Sequence, residues 1–359
     1  MALGEELVYQ IALSIVYKNR ISTAHRLLDE YHSASEVWRH INEQDMSKAL
    51  DRAKREIAWM EKHDIRSYFC QDDDYPYRLK QCPDAPIMLY SKGNVRFNEE
   101  HFVSVVGTRR ATDRGAEMTR QLVLGLKELL PDVTIVSGLA YGIDVAAHRA
   151  ALEAGLPTII VPGHGLDRIY PPLHRQVAVD ALREGGLLTE YMSETEPYGI
   201  NFVARDRIIA GLSDATIVVE SKAKGGSLIT AQMALDYDRA VFAVPGRTTD
   251  DCARGCNMLI REQKAALIET AEDVVKAMMW DADMKPQSVQ TELVELTESL
   301  DETEQKLLQK LRENEDGIHI NLIVMETGIP YSEASAALMM LELKDIVKSL
   351  PGGIYRALK

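Results

Sequence analysis

The chain is predicted to be an α/β protein with a doubly wound, largely parallel sheet, flanked by an N-terminal helical segment and a C-terminal unit of three helices and a hairpin. Three observations carry this. Six short apolar runs recur, each followed by a Gly-containing turn and then a helical pattern: 102–106 (FVSVV), 133–137 (VTIVS), 158–162 (TIIVP), 187–191 (LLTEY), 216–220 (TIVVE) and 240–244 (AVFAV). Most lack polar alternation, as strands covered on both faces require. Regular strand and helix alternation is the signature of a doubly wound sheet. After Trp280 the texture changes to polar and acidic, then returns to helical spacing.

Before the strands, residues 1–63 read as a small helical domain, SAM-like or helix-hairpin-helix-like. Leu7, Ile11 and Ile15, then Ala24, Leu27 and Leu28, fall at helical spacing, with Ser22 as the expected N-cap. The segment KNRISTAHRLL could begin half of a DNA-binding helix-hairpin-helix, but it lacks the glycine hairpin, so a structural cap is the expectation. Residues 64–280 form the core. Residues 281–298 read as an acidic, proline-containing linker. In 299–359, TEQKLLQKL, HINLIVMETG and SEASAALMMLEL read as three helices, the last capped by Ser332. A hairpin turning on Pro351, Gly352 and Gly353 follows, which suggests a winged helix.

Length and composition narrow the classes of function. The 359 residues are 46% hydrophobic and 27% charged, which sets aside disordered, collagenous and repeat architectures. The sequence has neither a membrane-length apolar stretch nor a signal-peptide pattern, so a cytoplasmic protein with no membrane partner is expected. Four cysteines are too few for a disulfide framework, and none forms a C-x-x-C pair, so free thiols are expected. The net charge of −14 argues against indiscriminate polyanion binding. Residues 281–316 alone hold eleven acidic and four basic side chains, −7 in all, so a nucleic-acid site elsewhere is compatible with the global sign.

The turns after the strands are where anions would bind, because helix N-termini there offer unpaired N–H groups and a positive dipole end. GTRRATDRG supplies Gly107, Thr108, Arg109 and Arg110. SGLAYGID supplies Ser137, Gly138 and Gly142 before a helix expected to be capped by Asp144. SKAKGGSLIT brings Lys222, Lys224, Gly225, Gly226 and Ser227 to another helix start. FVARDRIIAGLSD holds Arg205 and Arg207 around Asp206, and Arg175 follows His174 after YPP. Both G-x-G-x-x-G and the P-loop motif are absent, so no nucleotide cofactor is expected. Several separate turns suit a polyphosphate strand, and Arg can both fork onto phosphate and stack on an unpaired base.

Read together, DDDYPYRLKQCPDAPIMLYSKGN, VVGTRRATDRG, VSGLAYGIDVAAHRAAL, PGHGLDRIYPPLHRQV, LLTEY, FVARDRIIAGLS, VVESKAKGGSLITAQMA and VPGRTTDDCARGCNMLI resemble the DprA/Smf family of bacterial DNA-processing proteins, nearly continuously over residues 72–260. The resemblance implies an extended Rossmann-like core without cofactor or catalysis. It also implies binding of single-stranded DNA, protection of incoming DNA in natural transformation, loading of a RecA-type recombinase, a homodimer, and a winged helix of variable presence. By the same resemblance, Arg109 and Arg175 contact DNA backbone. Gly107, Thr108, Ser137, Gly138, Gly225, Gly226 and Ser227 then lie on phosphate-facing turns. The sequence departs from the family at Asp206, where Asn is usual between two arginines, and at Gly225-Gly226-Ser227, where S-G-S is usual.

The competing reading is an enzyme, a nucleotide phosphoribohydrolase on a related fold. That class carries P-G-G-x-G-T-x-x-E, whereas the corresponding turn here is GGSLITAQ with no glutamate following. His148, His164 and His174 are candidates for general-base work. His148, four residues after Asp144, is more simply a satisfied structural histidine. Cys256 near a helix start could be acidified, but no basic partner is evident. In the third C-terminal helix, Glu333, Glu342 and Asp345 outweigh Lys344, which ill suits a major-groove reader. Its Met339 and Met340 suit protein contact or docking on the basic face of the core.

Overall fold

The computed structural model describes residues 3–41, 46–280, 301–314, 317–344, 346–350 and 353–358. The described residues fall into two compact units, those up to 280 and those from 301 onward. The acidic stretch 281–298, and Asp345, Pro351 and Gly352, lie outside the described residues.

The first unit opens with four helices, α1 (Leu3–Val16), α2 (Ile21–Tyr31), α3 (Ala34–His40) and α4 (Met46–His63). Ile11, Ala24 and Leu28 are buried on their shared face, as the spacing predicts. Ser22 is not the N-cap of α2. Arg20 holds that position without a side-chain cap. These helices share one hydrophobic cluster with the sheet, and a polar clamp ties them down. The buried Glu56 carboxylate pairs with Arg52 at 2.7 Å and accepts from the backbone N–H (2.8 Å) and hydroxyl (2.6 Å) of Ser193.

The core follows as β1 (Arg66–Phe69), a short α5 (Tyr77–Lys80), β2 (Met88–Gly93), β3 (Phe102–Val106), α6 (Asp113–Leu129), β4 (Thr134–Ser137), α7 (Ile143–Glu153), β5 (Thr158–Ile160) and α8 (Arg175–Ala181). It continues with β6 (Gly186–Thr189), α9 (Gly199–Leu212), β7 (Ala215–Val218), α10 (Ser227–Asp236), β8 (Ala240–Ala243), α11 (Arg254–Arg261), β9 (Ala266–Leu267) and α12 (Ala271–Ala277). All six expected runs are strands. The nine-stranded order is β1-β2-β6-β5-β4-β3-β7-β8-β9, parallel from β6 to β9, while β1, β2 and β6 pair antiparallel. β1 and β2, outside the six expected runs, extend the sheet at one edge. α6 packs on α7 and α12, and α9 packs on α10. The chain winds outward from β3 through β4, β5 and β6, then returns to place β7 on the other side of β3. β3 and β7 therefore diverge into helices at a topological switch point, where open α/β sheets bind ligands.

In the second unit, helices Glu302–Arg312, Ile320–Thr327 and Tyr331–Leu343 pack with a three-stranded sheet of order β10 (Ile318–His319), β12 (Ile354–Ala357), β11 (Val347–Leu350). This is the winged-helix arrangement. Pro330, not Ser332, is the residue preceding the third helix. Among the described residues, no helix is long and apolar enough to cross a membrane, and all four cysteines are free.

Candidate functional site

A groove of about 630 Å³ opens over the carboxyl ends of β3 and β7. The turn after β3 supplies Gly107, Thr108 and Arg109 to it, and the turn after β7 supplies Lys222, Lys224, Gly225, Gly226 and Ser227. Backbone bonds lock these turns together. Thr108 N–H donates to the Glu220 carbonyl at 2.8 Å, and Ile143 N–H to the Thr108 carbonyl at 3.3 Å. Gly107 is a packing glycine, since a Cβ there would come within 2.4 Å of the Ile143 side chain. Gly142 (φ +77°) passes so close to Thr108 that a Cβ would meet its carbonyl at 2.1 Å.

The two helix starts at this edge differ. The start of α6 is closed, because Thr112 caps Gly115 and the Glu220 carboxylate accepts from Thr112 N–H (3.0 Å) and Oγ1 (2.6 Å). An anion is already there, so the turn GTRRATDRG cannot offer a helix N-terminus to phosphate. A neighbouring cavity of about 410 Å³ beyond Glu220 is lined by that residue, Asp250 and Asp251 against Arg114, a balance unsuited to a polyanion. The start of α10 is open. It has no side-chain cap, Gly226 is exposed, and a Cβ on Gly226 would touch nothing within 4 Å. Lys222 and Lys224 flank it. The Ser227 hydroxyl turns inward and donates to Ser221 Oγ at 2.9 Å.

The arginines divide in the same way. Arg109, Arg110 and Arg175, like Lys222 and Lys224, are exposed, and none forms an ion pair among the described residues. Arg109 lines the groove, with its guanidinium 5.5 Å from the centre of the Phe202 ring. Arg110 sits on the same turn outside the groove. Arg175 begins α8, one loop further along the edge. Arg205 and Arg207 are turned inward, correcting the expectation that they reach a ligand. Arg205 is 3% exposed. Its Nη1 donates to the Val161 carbonyl, its Nε to the Phe202 carbonyl at 3.3 Å, and it pairs with Asp206 at 2.9 Å. Arg207, 9% exposed, donates to the Asp84 carbonyl at 2.8 Å and to Glu190, bracing α9 against the end of β6.

Ser137 and Gly138 are likewise structural. Ser137 is fully buried and donates to the Val105 carbonyl at 2.6 Å. A Cβ on Gly138 would come within 2.0 Å of Arg205 Nη1, so this glycine is what lets the guanidinium cross to Val161. Asp144 is the second residue of α7 rather than its cap, and accepts from Ala140 N–H at 3.3 Å.

Phe202 and Tyr170 went unnoticed as site residues. Their rings, 5.6 Å apart, stand in the groove beside Arg109. The only sequence signal was an aromatic one turn before Arg205. The catalytic candidates are all buried. His148 is buried against the Thr158 hydroxyl at 2.8 Å, and burial pushes its imidazole down to about 3. His164 is shifted down by burial as well, and His174 bonds the Leu139 carbonyl at 2.8 Å. Burial pushes the Cys256 thiol up to about 12, the opposite of an activated nucleophile. No cluster of three or more metal-ligating side chains occurs among the described residues.

With this geometry, the chain matches the family of DNA recombination-mediator protein A over residues 66–279 and the DprA winged-helix domain over 291–353. The chain belongs to the DprA/Smf family. The DNA processing protein DprA of Streptococcus pneumoniae is 41% identical over 209 residues, 58% of this chain and 73% of that protein. Protein Smf of Escherichia coli is 31% identical over 304 residues, 84% and 79% of the two chains. The X-ray structure of the pneumococcal DprA superposes with a TM-score of 0.66 at 33% identity, covering 75% of this chain and 97% of that one. The structure of DNA processing protein A from Helicobacter pylori, studied for its single-stranded DNA binding mode, gives 0.55 at 28% identity, covering 60% and 96%. In this DprA/Smf member, Arg109, Lys222, Lys224 and the aromatic pair line one groove at the switch point.

Proposed function

We propose that this DprA/Smf protein binds single-stranded DNA in the groove over β3 and β7. The observation that carries the reading is that Arg109, Phe202 and Tyr170 share one groove with the open start of α10, Lys222 and Lys224. The cations and N–H groups serve phosphates, and the rings offer a face on which an unpaired base can stack. A duplex keeps its bases stacked on one another, so the aromatic pair favours single strands. Arg110 and Arg175 extend the cationic edge beyond the groove. Affinity is then independent of sequence and falls steeply with salt. The H. pylori relative, known for its single-stranded DNA binding, supports the reading.

The wider role we infer is that of the family: shielding incoming DNA and delivering it, as a homodimer, to a RecA-type recombinase in the cytoplasm, without catalysis. In the winged helix, the helix Tyr331–Leu343 exposes Tyr331, Met339 and Met340 alongside Glu333. An apolar and acidic face of this kind suits protein contact better than base readout. The test is a titration of fluorescent oligo(dT) against the same length of duplex at two salt concentrations, with the mass in solution measured alongside. Tight, salt-sensitive binding of the single strand only is expected. Equal affinity for duplex would overturn the groove as the site, and steady release of base from nucleoside monophosphates would favour the hydrolase class instead.

A further inference from the structure

One side chain on the groove floor has the wrong sign for a polyanion. Asp206, on α9, lines the groove with 17% of its side chain exposed. Its own helix gives it Arg205 at 2.9 Å. α7 presents the buried carboxylate of Asp144, and α10 presents the hydroxyl of Thr230. The turns above present Arg109, Lys222 and Lys224. One buried guanidinium, itself committed to the Val161 and Phe202 carbonyls, thus serves two carboxylates. Two carboxylates thus lie beneath the place where phosphates would lie; burial raises Asp144 as it does Asp206, with Arg205 and Arg109 opposing this at Asp144.

We propose that occupancy of this groove is linked to protonation of Asp206, so that a single strand binds as the carboxylate takes up a proton and binds more tightly as pH falls. The inference rests on the groove being the DNA site. Burial already pushes the Asp206 carboxyl up to about 6; Arg205 opposes this and Asp144 reinforces it. A phosphate brought alongside adds a second like charge and moves the group further up. The sign follows from linkage. Above the bound-state value both forms are ionised and affinity is flat. Between that value and about 6, affinity rises by up to about tenfold per pH unit, and below it the free protein is already protonated and affinity levels off. Among the imidazoles near Arg205, burial pushes His148 down to about 3, out of this window, and shifts His164 in the same direction. His174, on the adjoining turn, is the remaining one to control for.

The experiment uses the full chain and oligo(dT) at fixed ionic strength. Affinity is measured from pH 6 to 8, and calorimetry in two buffers of different ionisation enthalpy counts the protons taken up. Net uptake near neutral pH and roughly tenfold tighter binding at the acid end are expected. The Asp206→Asn variant is expected to lose both and to bind at pH 8 as the parent does at pH 6, while His174→Asn keeps the slope. A parent with pH-independent affinity, or an Asp206→Asn variant that keeps the parent's slope, overturns the linkage while leaving the groove as the binding site. Absence of binding at every pH overturns the binding reading itself. Should Asp206→Asn fail to fold, the carboxyl ¹³C titration of the parent with and without oligo(dT) decides, since an unmoved midpoint rejects the proposal.

Discussion

Arg109 and Arg205 approach the same ring, 5.5 Å and 6.0 Å from the centre of Phe202, yet one is exposed in the groove and the other is buried against protein acceptors. Arg109 stands on a turn whose backbone is fixed at Thr108 by Glu220 and Ile143, and its side chain, without an ion pair among the described residues, lines the groove. Arg205 stands on a helix packed between α10 and the sheet, where the missing side chain of Gly138 opens a channel to the Val161 carbonyl. The contrast between α6 and α10 repeats the lesson. Equivalent helix starts differ because Glu220 fills one and nothing caps the other. A cation or a helix N-terminus is a binding feature only where the fold leaves it unsatisfied.

That contrast can be broken by substitution. The largest effect is expected for Arg205→Ala, which strands Asp144 and Asp206 in a buried site; removing one partner of such a cluster costs about 3–5 kcal/mol. Chemical denaturation measures it, and a loss below about 1 kcal/mol would place Arg205 with the ligand-facing cations. Gly138→Ala should cost about 1–3 kcal/mol, because the added methyl collides with the guanidinium and drives it from its channel. Its melting temperature should fall while any residual folded protein keeps Arg109 in place. Arg109→Ala should leave stability unchanged and weaken oligo(dT) binding by about fivefold, flattening the salt slope by about one counterion. Arg175→Ala, one loop outside the groove, should show the smallest change, about twofold, and only with oligonucleotides long enough to span both turns. If Arg175→Ala matched Arg109→Ala on a short oligonucleotide, the site would extend over the loop after β5.

The parallel strands were legible because a strand covered on both faces must be apolar at every position, and FVSVV or TIVVE can satisfy little else. The antiparallel edge was not. β1 (RSYF) and β2 (MLYSKG) mix polar and apolar residues, pair with each other, and join the rest of the sheet only through β2 and β6, which are remote in sequence. Helix caps were misplaced at Ser22, Ser332 and Asp144 by two residues each, since a small polar residue in the first turn looks like one just before it. Among the expected site residues, Gly226 and the cations Arg109, Arg110, Arg175, Lys222 and Lys224 reach the surface. Ser137, Gly138, Arg205 and Arg207 do not.

Local pattern was enough for the class of fold, the position of the strand-end turns and the clustering of cations along one edge, because strand burial and turn chemistry act over a few residues. The direction of each charged side chain was settled elsewhere. It depended on Glu220, Val161, Glu190 and Asp84, residues that reach their partners across 17 to 123 positions of chain. An arginine's charge is the same in either setting, and whether it binds a ligand is decided by which acceptors the folded chain brings within reach first.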